Sequence, residues 1–131
     1  MVGLVIVSHS KALAESVVEL AKGMAPQALM AAAGGLEDGS FGSSFDRIRD
    51  AILSVYSEDG VLVFMDLGSS VMTTEMVLEE MDGKKIAMAD CPIVEGAVTA
   101  AVLAECGLDF ARIKADAENA GKTPKLAFVK T

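Results

Sequence analysis

A short apolar run followed at once by a helical segment recurs along this chain, and that alternation constrains the fold more than any other feature. Residues 4–7 and residues 61–65 contain only apolar side chains, as is typical of strands that are buried on both faces of a parallel sheet. Each run is followed by small polar residues and then by apolar positions at helical spacing. The pattern therefore predicts an α/β fold, a doubly wound and mostly parallel sheet with helices on both faces.

The remaining segments complete the predicted sheet. Residues 27–33 and residues 85–89 are predicted as the second and fourth strands, and residues 126–129 as a C-terminal edge strand. Because crossover connections between parallel strands are right-handed, the four main strands are expected in the order 2-1-3-4. Residues 1–131 are predicted to form a single domain of this kind.

The sequence also predicts where two helices begin or end and which residues one of them buries. The helix after the second strand is predicted to begin at Ser43, with Asp46 as its capping-box partner. The helix after the third strand is predicted to run to about Met81. Its predicted buried face consists of apolar residues at helical spacing: Val71, Met72, Met76 and Val77.

Residues 93–106 are predicted to form a helix that is apolar on nearly all sides. A helix with so little polar surface must be covered on two sides. The sheet supplies one cover, and a second subunit could supply the other. The pattern is therefore consistent with a homodimer.

Composition and charge exclude several classes of function. The chain has 19 acidic against 11 basic residues and a formal net charge of −8, which argues against nucleic acid as a partner because phosphates demand a basic surface. Charged residues interrupt every long apolar stretch, so no membrane span is predicted, and we expect a cytoplasmic protein.

The candidate chemistry lies where two neighbouring strands end. His9 follows the first strand and Asp66 follows the third, and in the order 2-1-3-4 these strand ends meet at the crevice where such sheets bind ligands. An Asp that accepts a hydrogen bond from one imidazole nitrogen orients the ring and stabilises positive charge on it. We therefore predict His9 as a nucleophile toward an electrophile such as phosphorus and Asp66 as its orienting partner. The alternatives are a histidine that only ends a strand and an aspartate that only caps a helix.

Small and hydroxyl-bearing residues around this crevice indicate an anion site. Gly68 opens the helix after the third strand, and the free backbone N–H groups of such a helix end favour a phosphoryl group. A second glycine- and serine-rich loop follows the second strand. No metal site is predicted. The predicted phosphate-binding residues are Ser10, Gly34, Gly35, Ser43, Gly68, Ser69 and Ser70.

Several sequence strings, in order along the chain, carry a resemblance to one known family. The chain resembles the phosphotransferase subunits of bacterial dihydroxyacetone (glycerone) kinases that run on the phosphoenolpyruvate phosphotransferase system (PTS), whose domain is similar to the IIA domain of mannose-family transporters. Ser43 stands where threonine is expected, so a hydroxyl is kept. The strings are LVIVSHS at residues 4–10, GG at 34–35, GSSFD at 42–46, MDLGSS at 65–70 and CPIVEG at 91–96.

The resemblance implies a phosphoryl relay. A histidine-containing phosphocarrier protein would phosphorylate His9, and His9 would pass the group to ADP on the nucleotide-binding subunit of the kinase. The ATP formed there serves to phosphorylate dihydroxyacetone on a third subunit. The resemblance also implies that this chain binds no cofactor itself, since ADP, ATP and magnesium belong to the partner subunit, and that it forms a homodimer.

Two other functions remain open at this stage. A IIA domain of a mannose-type sugar transporter would share the fold and the histidine but would hand its phosphoryl group to a transporter subunit. A non-catalytic module that senses small anions through the glycine- and serine-rich loops would carry no phosphohistidine.

Overall fold

The computed structural model describes residues 1–126 and confirms the predicted α/β architecture. Four parallel strands form one sheet in the order β2-β1-β3-β4. The strands are β1 (Gly3–Ser8), β2 (Leu29–Gly34), β3 (Val61–Met65) and β4 (Ile86–Met88). The edge strand predicted at residues 126–129 lies, beyond its first residue, outside the described residues.

Within residues 1–126, five helices cover the two faces of the sheet. One hydrophobic core joins the sheet to the first, fourth and fifth helices, and a second core joins it to the other two. The arrangement is the doubly wound one that the alternation of strands and helices predicted. The helices are α1 (Lys11–Met24), α2 (Phe45–Val55), α3 (Gly68–Glu80), α4 (Ile93–Glu105) and α5 (Phe110–Ala120).

The position of the central strands in the sheet explains why their sequences are apolar throughout. Leu4 and Ile6 of β1 belong to one core, whereas Val5 and Val7 belong to the other. Alternate side chains of a strand point to opposite faces, and here both faces are covered by helices. All four side chains are fully buried, so an uninterrupted apolar run is what this position in the sheet requires.

The predicted start of α2 is wrong by one residue. Ser44, not Ser43, is the N-cap, because its Oγ accepts a hydrogen bond from the backbone N–H of Arg47 at 3.2 Å. Ser43 is still extended at this point and forms a parallel bridge with Gly35. The side chain of Ser43 therefore does not cap α2 and is available for other contacts.

The predicted buried face of α3 is also wrong in part. Val77 is buried, but Met72 and Met76 are 66% and 57% exposed. The helix instead buries the small polar residues Ser70 and Thr74 along with Val77. The prediction placed only apolar residues on the buried face, but the polar side chains of Ser70 and Thr74 occupy two of its positions.

Helix α4 is covered on two sides by its own chain. It packs against the sheet, and α1 and α5 lie against it as well. The close approach is possible because its buried positions are glycine and alanine. The second cover that the sequence left open to another subunit is thus supplied within the chain, and the homodimer stays a prediction from the family resemblance.

The helices of the fold are short or carry charged residues. Within residues 1–126, none has both the length and the apolar character needed to cross a membrane.

Candidate functional site

The register of the sheet brings His9 and Asp66 together. Val7 of β1 pairs with Met65 of β3, so the residues that follow leave the sheet side by side at its carboxyl edge. The Nδ1 atom of His9 lies 3.0 Å from the Oδ1 atom of Asp66. The imidazole remains 27% exposed, whereas the carboxylate is only 11% exposed. The Asp66 carboxylate is therefore largely buried, whereas the imidazole ring of His9 lies at the surface.

Every oxygen of the Asp66 carboxylate is held by further donors. The hydroxyl of Ser8 donates to Oδ2 at 2.8 Å, and the backbone N–H of His9 donates to the same oxygen at 3.1 Å. The backbone N–H of Leu67 donates to Oδ1 at 2.7 Å. With these contacts the carboxylate has one orientation, and the ring that it holds is oriented with it.

These donors keep Asp66 ionised. Burial by itself raises the pKa of the carboxyl group, but hydrogen bonds from the Ser8 and Ser70 hydroxyls and from the backbone N–H groups of His9 and Leu67 outweigh it. The pKa of Asp66 is lowered from 3.8 to about 2. The negative charge needed to balance a cationic imidazole is therefore present throughout the physiological range.

The ionised carboxylate fixes the proton on the His9 ring. Because Asp66 can only accept, the Nδ1 atom facing it carries the hydrogen, and the lone pair of the neutral ring lies on Nε2. The hydroxyl of Ser69 contacts Nε2 and is placed to donate to that lone pair. A nucleophilic nitrogen therefore faces the loop that opens α3.

A line of hydroxyls joins the two loops behind the ring. The Ser70 Oγ lies 3.2 Å from Nδ1 of His9, and the Ser43 Oγ lies 2.9 Å from the Ser70 Oγ. Ser70 is fully buried. Ser43, which does not cap α2, thus belongs to the hydrogen-bond network of the site, and its role in binding phosphate stays a prediction.

The start of α3 presents backbone donors beside Nε2. Its N-cap is Leu67, whose side chain cannot accept a hydrogen bond from the first turn. Within the described residues, the N–H groups of Gly68, Ser69 and Ser70 donate to no protein acceptor. Such a helix end attracts anions, and a role for these three residues in binding a phosphoryl group stays a prediction.

Ser10, also predicted to bind phosphate, has a structural task. Its Oγ caps α1 by accepting from the backbone N–H of Leu13 at 3.1 Å. Its own backbone N–H donates to the Ser8 Oγ at 3.0 Å. The hydroxyl therefore holds the helix that begins two residues after the histidine.

The two glycines predicted from the second loop also serve packing. A Cβ on Gly34 would come within 2.5 Å of the Ser10 carbonyl oxygen, so this strand end can approach α1 only as glycine. Gly35 has a φ of +71°, which favours glycine, and its N–H donates to the Ser8 carbonyl at 3.1 Å. The N–H group of Gly35 is therefore occupied, and phosphate binding by the two glycines stays a prediction.

Sequence reasoning missed Ser8. Its hydroxyl is fully buried, donates to Asp66 and accepts from Ser10, so it couples the end of β1 to the carboxylate. A signal was present, since Ser8 continues an apolar run at a position that the sheet buries. A serine there requires a polar partner.

The donors around His9 suit an anion. No group of three or more His, Cys, Asp and Glu side chains suited to a metal is found in the part of the chain that is described. An oriented imidazole whose Nε2 faces the start of α3 and whose Nδ1 faces a carboxylate can attack an electrophile such as phosphorus once Ser69 turns aside. Phosphoryl transfer needs mainly this positioning and charge balance.

Comparisons with known proteins agree with this chemistry. The family model EIIA-man, described as the PTS system fructose IIA component, matches residues 3–114. The chain is 41% identical over 116 residues to the phosphotransferase subunit DhaM of the PTS-dependent dihydroxyacetone kinase of Lactococcus lactis, covering 88% of this chain and 93% of the relative. It is 46% identical over 99 residues to the phosphoryl donor subunit DhaM of the PEP-dependent dihydroxyacetone kinase 1 of Listeria innocua, covering 76% and 78%.

A solved structure shares the fold closely. The protein of unknown function EF1359 superposes with a TM-score of 0.83 at 33% sequence identity, over 93% of this chain and 96% of that one.

Proposed function

The chain belongs to the EIIA-man family, and from that membership we propose that it is the phosphoryl donor subunit of a phosphoenolpyruvate-dependent dihydroxyacetone kinase. The observation that carries the proposal is the 3.0 Å contact between His9 Nδ1 and Asp66 Oδ1, which leaves Nε2 as the nucleophile. Two relatives, at 41% and 46% identity, have this activity in their names. The family and the site thus lead to the same reaction.

In the first step His9 accepts the phosphoryl group. The Nε2 lone pair attacks the phosphorus of a phosphohistidine on the donor, a histidine-containing phosphocarrier protein. The donor's P–N bond breaks, and its electron pair returns to the donor ring. His9 becomes a phosphoimidazolium that keeps its Nδ1 proton, and the ionised Asp66 balances the new charge.

In the second step the phosphoryl group leaves. A terminal phosphate oxygen of ADP, held with magnesium on the nucleotide-binding subunit of the kinase, attacks the phosphorus in line. The P–Nε2 bond breaks, and its electron pair returns to the ring of His9, which is again neutral. ATP is then available on that subunit to phosphorylate dihydroxyacetone, and this chain needs no cofactor of its own.

The Ser69 hydroxyl contacts Nε2 before the transfer, and the backbone N–H groups at the start of α3 bind the phosphoryl group after it. Ser69 occupies the Nε2 lone pair in the resting protein and must turn aside when the phosphorus approaches. The N–H groups of Gly68 to Ser70 then face the phosphoryl oxygens.

We place the relay in the cytoplasm, and we expect the chain to act as a homodimer. Light scattering at working concentration tests this expectation, because a molar mass equal to that of one chain would contradict the homodimer.

The test is transfer of labelled phosphate through His9. Wild type and His9→Ala are incubated with labelled phosphoenolpyruvate and the two general PTS proteins, and then with the ADP-loaded nucleotide subunit. We expect acid-labile, base-stable label on wild type only, followed by labelled ATP. Equal labelling of His9→Ala would contradict the role of His9, and absence of label from wild type would favour the anion-sensing module.

The protein that accepts the phosphoryl group from His9 distinguishes the proposed kinase subunit from a component of a sugar transporter. The matching family model is described for a sugar transport component, so a transporter IIB protein is offered to the phosphorylated chain in a parallel reaction. Rapid transfer to the IIB protein without ATP formation would favour the transporter function.

A further inference from the structure

The hydroxyl of Ser8 has both its donor side and its acceptor side occupied. Its Oγ lies 2.8 Å from Asp66 Oδ2 and 3.0 Å from the backbone nitrogen of Ser10. An ionised carboxylate can only accept and a backbone N–H can only donate, so the hydroxyl hydrogen must point at Asp66. The direction of this hydrogen bond is therefore fixed by the groups on both sides of it.

Ser8 and the His9 ring contact different oxygens of the same carboxylate. The Oδ2 atom of Asp66 accepts from the Ser8 hydroxyl and from the backbone N–H of His9 at 3.1 Å, whereas Oδ1 lies 3.0 Å from the ring Nδ1. The last torsion of an aspartate side chain is soft by itself. The two donors at Oδ2 oppose its rotation, so the contact at Oδ1 depends on them.

Ser8 is also placed where it can act only through the groups that it bonds. It is the last residue of β1 and is fully buried, and its backbone carbonyl accepts from the N–H of Gly35 at 3.1 Å. A side chain in this position cannot touch a substrate or a partner protein. Any effect of the hydroxyl on phosphoryl transfer must therefore pass through its own hydrogen-bond partners.

The charge of the carboxylate depends on the same hydroxyl. Burial raises the pKa of Asp66, and the hydrogen bond from Ser8 comes first among the contacts that overcome burial and lower this pKa to about 2. Ser8 thus contributes to the orientation of the carboxylate and to its ionisation.

We propose that Ser8 is a positioning residue for phosphoryl transfer, which holds Asp66 so that the His9 ring keeps its hydrogen on Nδ1 and its lone pair on Nε2. Without the hydroxyl, Oδ2 keeps only the backbone N–H of His9, and the carboxylate turns more freely. Part of the protein then carries the ring hydrogen on Nε2, where it blocks the attack on phosphorus. The kinetic part of this inference rests on the proposed function, whereas the state of the ring can be measured without it.

The state of the ring is tested by NMR on the full chain. His9 is the only histidine, so protein grown with 15N-labelled histidine gives ring nitrogen signals that belong to this residue alone. At a pH where the ring is neutral, wild type should carry its hydrogen on Nδ1. Ser8→Ala should show a measurable share of the tautomer with hydrogen on Nε2.

The kinetic test separates positioning from partner binding. Initial rates of His9 labelling are measured against the concentration of phosphorylated donor protein. We expect Ser8→Ala to lower kcat roughly fivefold to tenfold, less than or equal to the loss of the charge itself, and to leave the KM for the donor within about twofold of wild type. Transfer to the ADP-loaded acceptor should slow as well, because the same carboxylate balances the phosphoimidazolium in both steps.

A double-mutant cycle tests whether Ser8 acts through Asp66. Residues in one hydrogen-bond network give effects that do not add. Ser8→Ala/Asp66→Asn should therefore be no more than about twofold slower than Asp66→Asn alone. Unfolding midpoints establish that each variant is folded at the assay temperature.

Thr74→Val is the matched control. It removes another fully buried hydroxyl, one that has no hydrogen-bond partner among the described residues. This variant should keep the wild-type tautomer and both wild-type rates. A general effect of losing a buried hydroxyl would appear here too.

The outcomes distinguish this inference from the proposed function. Wild type that accepts no label would defeat the proposed function, and the NMR comparison would still decide the effect of Ser8 on the ring. Two results would overturn the positioning role: Ser8→Ala keeps the tautomer of wild type, or the losses in kcat from Ser8→Ala and Asp66→Asn multiply in the double variant.

Discussion

Asp66 Oδ1 accepts from His9 Nδ1 across 57 residues of sequence, and the same carboxylate also binds the backbone N–H of His9. Ring and backbone of the histidine are thus held by one side chain at the end of the neighbouring strand. The contact exists because β1 and β3 are adjacent in parallel register. The fold therefore positions the nucleophile without needing a loop to close.

The first prediction concerns the charge of this carboxylate. Asp66→Asn keeps the size of the side chain and an oxygen for Nδ1–H but removes the negative charge that balances the phosphoimidazolium. A hydrogen bond to a charged group contributes roughly 1.5–3 kcal/mol, so phosphoryl transfer should be roughly tenfold to a hundredfold slower. Rapid-quench measurement of His9 labelling checks this. Rates within twofold of wild type would leave Asp66 with only a structural role.

The second prediction concerns stability in acid. The folded pKa of Asp66 is about 2, below the ordinary value of 3.8, so the stabilisation is complete above pH 4 and is lost as the pH falls through about 2. The difference corresponds to about 2 kcal/mol in the free energy of unfolding. Urea unfolding of wild type and Asp66→Asn at pH 6, 3 and 2 measures it. The wild-type advantage should shrink by that amount, and a gap independent of pH would contradict the lowered pKa.

The sheet order and the meeting of His9 with Asp66 could be predicted because both follow from strand ends. Once two apolar strands are neighbours in a parallel sheet, the residues after them share an edge. No side-chain detail is required for that step. The predictions that depend on strand adjacency were accordingly confirmed.

The orientation of α3 could not be predicted in the same way. Helical periodicity assumes that apolar residues point inward, but Ser70 is drawn inside by the hydrogen-bond network of the site, and Thr74 follows it one turn later. Met72 and Met76 are then turned outward. Ser8 was missed although its polar side chain continues an apolar run, because its hydrogen bond to Asp66 is a side-chain detail that strand adjacency alone does not give.

The third prediction concerns the packing role of Gly34, which is compared with Gly68. In Gly34→Ala the new Cβ would lie 2.5 Å from the Ser10 carbonyl oxygen and 2.7 Å from the Lys11 Cα, so the start of α1 must shift. We expect a loss of about 2 kcal/mol in the free energy of unfolding, in the range of overpacked cores, and slower His9 labelling because His9 immediately precedes this region.

Gly68→Ala is the matched comparison. Its Cβ would meet nothing within 4 Å, and alanine favours a helix over glycine by up to about 1 kcal/mol. This variant should be as stable as wild type or more so, and denaturant unfolding of both variants provides the measurement. Equal destabilisation by the two substitutions would contradict the packing role assigned to Gly34.

The last prediction concerns a hydroxyl beneath the site. Thr74 is fully buried, and its Oγ1 has no hydrogen-bond partner among the described residues. A buried polar group without a partner is destabilising, so Thr74→Val, which keeps the branched shape, should raise the free energy of unfolding by about 1 kcal/mol. The adjacent Thr73 is only half-buried, and Thr73→Val should change stability by less than about 0.5 kcal/mol. His9 labelling should be unchanged in both variants, since neither hydroxyl contacts the ring. If Thr74→Val instead lowers stability by 1 kcal/mol or more, the hydroxyl has a partner in solution, and that hydrogen bond then holds α3 in this orientation together with those of Ser70.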